Sequence, residues 1–150
     1  MFKKTSWIFG FLALALVGDR LVGFVFKKIT ENSKFRYAQL YSSNTAADVV
    51  FVGNSRGLSF YQPEAERILQ KNTVNLSYNG MPADLAKCLV LDYLDRHPAP
   101  KLLVVDVTLC DRENNALKTN FNLFTDKSAR LDTLLKGITE KDDNYAGKKV

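Results

Sequence analysis

Residues Asp48 to Gly57, DVVFVGNSRG, carry an apolar run of strand type that breaks into a Gly-Asn-Ser-Arg-Gly turn, and this stretch constrains the fold more than any other. Val49, Val50, Phe51 and Val52 are β-branched or aromatic, too few for a free-standing helix and bounded by turn residues. They predict a buried parallel strand. In open α/β sheets, ligands bind beyond the carboxyl ends of the strands. Ser55 falls there, with Gly53 and Gly57 permitting a tight turn and close backbone approach. Ser55 is therefore the candidate nucleophile.

The rest of the chain repeats the theme of strand, loop and helix. A helix is expected over Tyr61 to Gln70, with Pro63, Glu64 and Glu66 where a first turn favours them. Val74 to Ser77 reads as a second strand ending at the turn Tyr78-Asn79-Gly80. Pro82 and Asp84 open a further helix whose Ala86, Leu89, Val90, Tyr93 and Leu94 form one apolar face, and Arg96, His97 and Pro98 close it. Lys101 to Val107 supplies a third strand, with Leu102, Leu103, Val104 and Val105 expected as its buried core. Helices of this length between strands imply right-handed crossovers and a parallel sheet covered on both faces.

At 46% hydrophobic and 25% charged residues, the chain has enough apolar material for one domain with a real core, plus an extra segment. Its net charge of +5 is scattered in pairs and singles, with no helix presenting a basic face interleaved with aromatics, so nucleic acid is not an expected partner. One histidine and two cysteines without C-x-x-C spacing are too few for a zinc site, and no metal or cofactor is expected. Cys88 and Cys110 read as two half-buried free thiols in preference to a disulfide.

The targeting information lies at the N-terminus. After Lys3 and Lys4, Trp7 to Phe26 is apolar apart from glycines and the pair Asp19-Arg20, about 20 residues and long enough to span a bilayer. The two charges are placed towards one end, where snorkelling reduces a penalty of roughly 2.5 to 3.5 kcal/mol for a central charge. An anchor is favoured over a signal peptide cleaved after Ala13-Leu14-Ala15, which would leave few apolar residues in front, and over a buried soluble helix. Lys27 and Lys28 balance Lys3 and Lys4, so the short N-terminal flank sets the default of a cytoplasmic N-terminus and an extracytoplasmic domain. The chain thus divides into an anchor at residues 1–28, a polar juxtamembrane linker at 29–47 with a short helix through Phe35 to Tyr41, and an α/β domain at 48–150.

Gly53-Asn54-Ser55 after the first strand, Asn79-Gly80 after the second and the order VVFVGNSRG, NLSYNGM, LLVVDV resemble the SGNH, or GDSL-like, hydrolase superfamily over roughly Ala47 to Val107. The wording is closest to membrane-anchored bacterial members that look like teichoic-acid D-alanine transfer and envelope-polysaccharide acyl-modifying proteins. The resemblance implies a three-layer α/β/α, flavodoxin-like fold, here incomplete. It also implies ester hydrolysis or acyl transfer on envelope glycans or lipids. Ser55 would be the nucleophile and the Gly80 N–H an oxyanion donor, with one of Asn114 and Asn115, Asn115 being preferred, as a looser third donor, since the family's G-x-N-D block is replaced by Val107-Thr108-Leu109-Cys110-Asp111. Asn54, Arg56 and Asn79 flank these positions and are candidate substrate-binding residues.

The family's general base is a histidine in a late D-x-x-H block, and this chain does not have one there. His97 lies before the third strand, at the amino edge of the sheet, where it suits the end of a helix. Leu109 to Val150 adds a polar loop, a helix around Ser128 to Ile138 and a charged tail without a further strong strand. The expectation is an N-terminal fragment of a longer protein, inactive alone, with an uncovered sheet edge. A nucleotide-binding role is disfavoured because Gly53 to Gly57 matches neither phosphate-loop pattern. A non-catalytic envelope module remains the alternative.

Overall fold

The computed structural model describes residues 2–31, 33, 36–41, 46–108 and 112–146. Helix α1, Phe2–Glu31, comes first, an apolar helix without proline whose side chains over residues 7–26 are exposed. It stops where the Ser33 amide and hydroxyl both donate to the Thr30 carbonyl, at 3.2 and 2.7 Å. Residues 7–30 are long and apolar enough to cross a membrane, and none of that window is buried by the rest of the chain. The helix runs on through Lys27 and Lys28 beyond the expected Phe26. Asp19 therefore lies within about 4 Å of the middle of the apolar stretch whether it ends at Phe26 or Thr30, at 1.5 Å per residue, and not towards one end.

Within the segment expected as a polar linker, residues 36–41 contribute to the core. A single 3-10 turn, Gln39–Tyr41, follows the tight turn at Arg36 to Ala38, and Ala38, Leu40 and Tyr41 are buried. Tyr37 stacks on Tyr78 and meets Phe121 edge-on, both with ring centroids 4.9 Å apart, and Tyr41 stacks on Phe124 at 4.9 Å. Burying Leu40 alone contributes about 1.5 to 3 kcal/mol. The aromatic residues placed among polar neighbours are what bring this segment in.

Three short strands form one parallel sheet: β1, Val49–Val52; β2, Thr73–Asn75; and β3, Leu102–Val105, in the order β2-β1-β3. The crossover from β1 to β2 carries α2, Gln62–Leu69, with Pro63 in its first turn. It is pinned to β2 by Gln62, which donates to the Thr73 carbonyl at 2.7 Å, and by Glu66, which accepts from the Thr73 amide at 3.0 Å. The crossover from β2 to β3 carries α3, Ala83–Arg96. After β3 come α4, Asn115–Thr119, a 3-10 segment Asn122–Lys127, and α5, Ala129–Ala146, whose start is capped by Ser128 accepting from the Leu131 amide at 3.0 Å.

The core lies on one face of the sheet. Val50, Val52, Val74 and Leu76 pack there with Leu85, Leu89 and Tyr93 of α3, with Phe121 and Phe124, and with Leu131, Leu135 and Ile138 of α5. The buried stripe of α3 is Leu85, Ala86, Cys88, Leu89, Asp92 and Tyr93, so the helix is rotated from the expected face and Leu94 is exposed. Buried Asp92 accepts from the Tyr41 hydroxyl at 2.9 Å and from Arg130 at 3.4 Å, which joins the 3-10 turn and α5 to α3.

Parallel pairing holds as expected, but coverage of both faces does not extend to β3. Leu102 is 53% exposed, Leu103 39% and Val105 46%, so this strand is not the buried core expected of it. β1 is paired on both sides and buried throughout; β2 and β3 are each paired only with β1, but β2 is buried and tied to α2 through Gln62 and Glu66, whereas among the described residues no strand lies along the outer edge of β3. The protein is a mixed α/β chain with a small three-stranded parallel sheet and an apolar N-terminal helix.

Candidate functional site

Because all three strands are parallel, the turns that follow them emerge on one rim. Two backbone bonds fix those exits side by side. The Tyr78 amide donates to the Gly53 carbonyl at 3.1 Å, and the Asp106 amide to the Val52 carbonyl at 2.8 Å. Ser55 and Gly80 both lie in these carboxyl-end turns.

Side chains shape the Gly53–Gly57 turn. Asn54 accepts from the Arg56 amide at 3.1 Å, closing a local turn, and donates to the carbonyl and the hydroxyl of Thr108, the latter at 3.1 Å. Both ends of its amide are therefore used to tie the β1 exit to the β3 exit, which makes Asn54 a positioning residue. Ser55 is exposed, and its hydroxyl has no hydrogen-bond partner among the described residues. Neither its amide nor that of Gly80 donates to a described acceptor.

The glycines are required for contact. A Cβ on Gly53 would stand 2.6 Å from the Asp106 Cβ, and one on Gly57 2.2 Å from the Ser77 hydroxyl. Gly80 differs: its φ of +62° is the left-handed conformation that glycine adopts at little cost.

Of the adjacent pair Asn114 and Asn115, it is Asn114 that reaches this rim, donating to the Gly80 carbonyl at 3.0 Å while accepting from the Leu117 amide at 3.0 Å as the cap of α4. Asn115, the expected donor, is the first residue of α4, and its side-chain oxygen is buried without a partner among the described residues. Asn79 is exposed beside Gly80, and Arg56 is exposed beside Ser55.

Next to the turn opens a cavity of about 410 Å³ lined by Phe51, Val52, Arg56, Ser77, Val105 and Asp106. Its lining is mostly apolar with a few polar groups, Arg56, Ser59, Ser77 and Asp106. Asp106 was not singled out by the sequence. Its Oδ1 accepts from the Thr108 hydroxyl at 2.7 Å and the Thr108 amide at 2.9 Å. These bonds, with Arg56 adding a weaker attraction, hold its carboxyl below the usual aspartate range. Its Oδ2 and the Ser77 hydroxyl are shielded from solvent without a described partner. The signal for Asp106 was a strand ending in Asp-x-Thr, a pattern that favours a side-chain-to-backbone turn.

His97 lies at the opposite rim. It caps α3, where its amide donates to the Tyr93 carbonyl at 2.9 Å, and its Nε2 lies 3.0 Å from the Leu40 carbonyl oxygen. Cys88 is a free, buried thiol pushed up to about 12 by burial and by nearby Asp92, and Cys110 lies outside the described residues. Family models, curated proteins and solved structures give no match to the chain.

Proposed function

We propose that this chain is the nucleophile-bearing part of a membrane-anchored, SGNH-like serine ester hydrolase or acyltransferase, acting on acyl esters of envelope glycans or lipids from the extracytoplasmic side. The observation that supports the reading is the rim itself: an unencumbered Ser55 hydroxyl follows the central strand, with the uncommitted Ser55 and Gly80 amides on the same edge and an apolar cavity alongside. In that reading the hydroxyl attacks the acyl carbon. Its proton passes to a base, and the oxygen of the tetrahedral adduct is held by the two amides, each such donor contributing about 2.7 to 4 kcal/mol. Asn54 and Asn114 act one step back, by fixing the turns that present those amides. Arg56 would meet an anionic part of the substrate and the apolar lining its acyl group.

A second reading, a non-catalytic envelope module, is favoured by one observation: the single histidine caps a helix at the wrong rim, and no imidazole stands beside Ser55. A fluorophosphonate probe applied to the full chain in membranes separates the two. Labelling that disappears in Ser55→Ala, whose stability should stay within about 0.5 kcal/mol because the residue is exposed, supports the enzyme. Absence of labelling in the folded protein expressed from its whole reading frame, so that a base supplied by any further segment is present, supports the inert module.

A further inference from the structure

α1 is the element the rest of the chain leaves uncovered, and in its middle it carries two opposite charges. Asp19 and Arg20 make no ion pair or hydrogen bond among the described residues. Neighbours in sequence point about 100° apart on a helix and do not face each other. The positions three and four residues away, where an intrahelical partner would sit, are Ala15, Leu16, Val22 and Gly23 for Asp19, and Leu16, Val17, Gly23 and Phe24 for Arg20. All are apolar or glycine. Arg20 has a long stem with which to reach towards water, but the short Asp19 side chain cannot cross the roughly 10 Å to Phe26. An unpaired carboxylate at that depth calls for a partner.

α1 is apolar on every side, so Asp19 itself sets the seam along which a partner would lie. Phe9, Leu12, Leu16, Asp19, Gly23 and Phe26 recur at alternating steps of three and four, the seam of a left-handed helix pair, and Phe9, Leu12, Leu16 and Phe26 are exposed. Asp19 occupies a d position of this repeat and Arg20 the adjoining e position. In a parallel pair a d side chain packs beside the partner's e side chain. Resting on the anchor reading, we infer that α1 pairs in the membrane with α1 of a second copy, Asp19 of each chain meeting Arg20 of the other. The pair is self-complementary: copies inserted by the same rule are parallel, so the two charges of each lie at matching depth. Gly23, one turn on, lets the backbones approach. The expected assembly is a twofold dimer whose soluble parts emerge on the same side.

The test is energy transfer between donor- and acceptor-labelled full chains in lipid vesicles. Asp19→Arg and Arg20→Asp should each weaken association by about tenfold or more, because each places like charges together. Mixing the two variants should restore it, since every charge then meets its opposite. The apolar variant Asp19→Leu with Arg20→Leu inserts more readily than the wild type yet should associate less, which separates pairing from insertion. Undiminished transfer in the single variants, or no recovery in the mixture, overturns the proposal. Alkaline extraction distinguishes the two readings: release of the wild-type chain from vesicles overturns anchor and pairing together, whereas retention without transfer overturns the pairing alone.

Discussion

Gly57 shows at the level of one residue how the rim is built. A Cβ at this position would lie 2.2 Å from the Ser77 hydroxyl oxygen and 2.7 Å from the Ser77 Cβ, and Ser77 is fully buried just beyond β2. The hydroxyl can rotate away but the Cβ cannot, so Gly57→Ala must push the β1 turn off β2. The expected destabilisation is about 1 to 3 kcal/mol, read as a lower urea midpoint with an unchanged slope. Adding Ser77→Gly should recover most of it. The Ser77 hydroxyl has no described partner, so its removal leaves nothing else unpaired. Equal loss in the single and double variants would show that the contact is not the cause. The serine and its flanking glycines were legible in the sequence because a Gly-bounded break after an apolar run is a local signal. Asp106 and Thr108 were not legible as site residues, and Asn114 was legible only as one of an adjacent pair. Their roles depend on β3 lying beside β1 and on α4 folding back to the Gly80 turn, and both adjacencies exist only once the chain is folded.

At the level of elements, α4 is the informative case. Five residues cannot hold a helix alone, so its place is set by its tethers. Asn114 caps it, and the ammonium of Lys118, whose side chain is only 3% exposed, reaches Asp84 in the first turn of α3 at 2.6 Å. Asp84→Asn leaves that ammonium buried with a neutral partner. The expected loss is about 1 to 2 kcal/mol, held down by the half-exposure of Asp84. Hydrogen exchange should quicken at Leu117 and Lys118 and, through the Asn114 bond, around Gly80, while β1 stays protected. Unchanged exchange at the Met81 amide, which closes the Gly80 turn by donating to the Tyr78 carbonyl at 3.2 Å, would show that α4 does not support that turn. Strands and helices were legible as elements because period 2 and period 3.6 are local properties. Which face each buries was less so. The α3 stripe turned towards Leu85 and Asp92 because Tyr41 and Arg130 meet it there, and β3 looked like a core strand because apolar composition carries no sign of lying at an edge.

At the level of the whole molecule, two apolar surfaces remain open among the described residues, and they have different remedies. α1 has the length for a bilayer, and its far end is held to the body where Lys27 meets Asp126 at 2.7 Å, a partly exposed contact that orients more than it stabilises. β3 has no such solvent: its outer edge offers unpaired backbone groups flanked by Leu102, Leu103, Val105 and a 93% exposed Val107. An open apolar edge is a template for strand pairing between chains. The body of the protein should therefore aggregate on refolding through β3, while α1 pairing is confined to the membrane. Val105→Lys with Val107→Lys puts two charges along this edge without entering the packed core. Turbidity during refolding should fall, stability should change by no more than about 0.5 kcal/mol per site, and energy transfer between α1 helices in vesicles should not move. If turbidity persists and the Asp19 and Arg20 variants abolish it instead, the sticky surface is the helix and the edge is already protected.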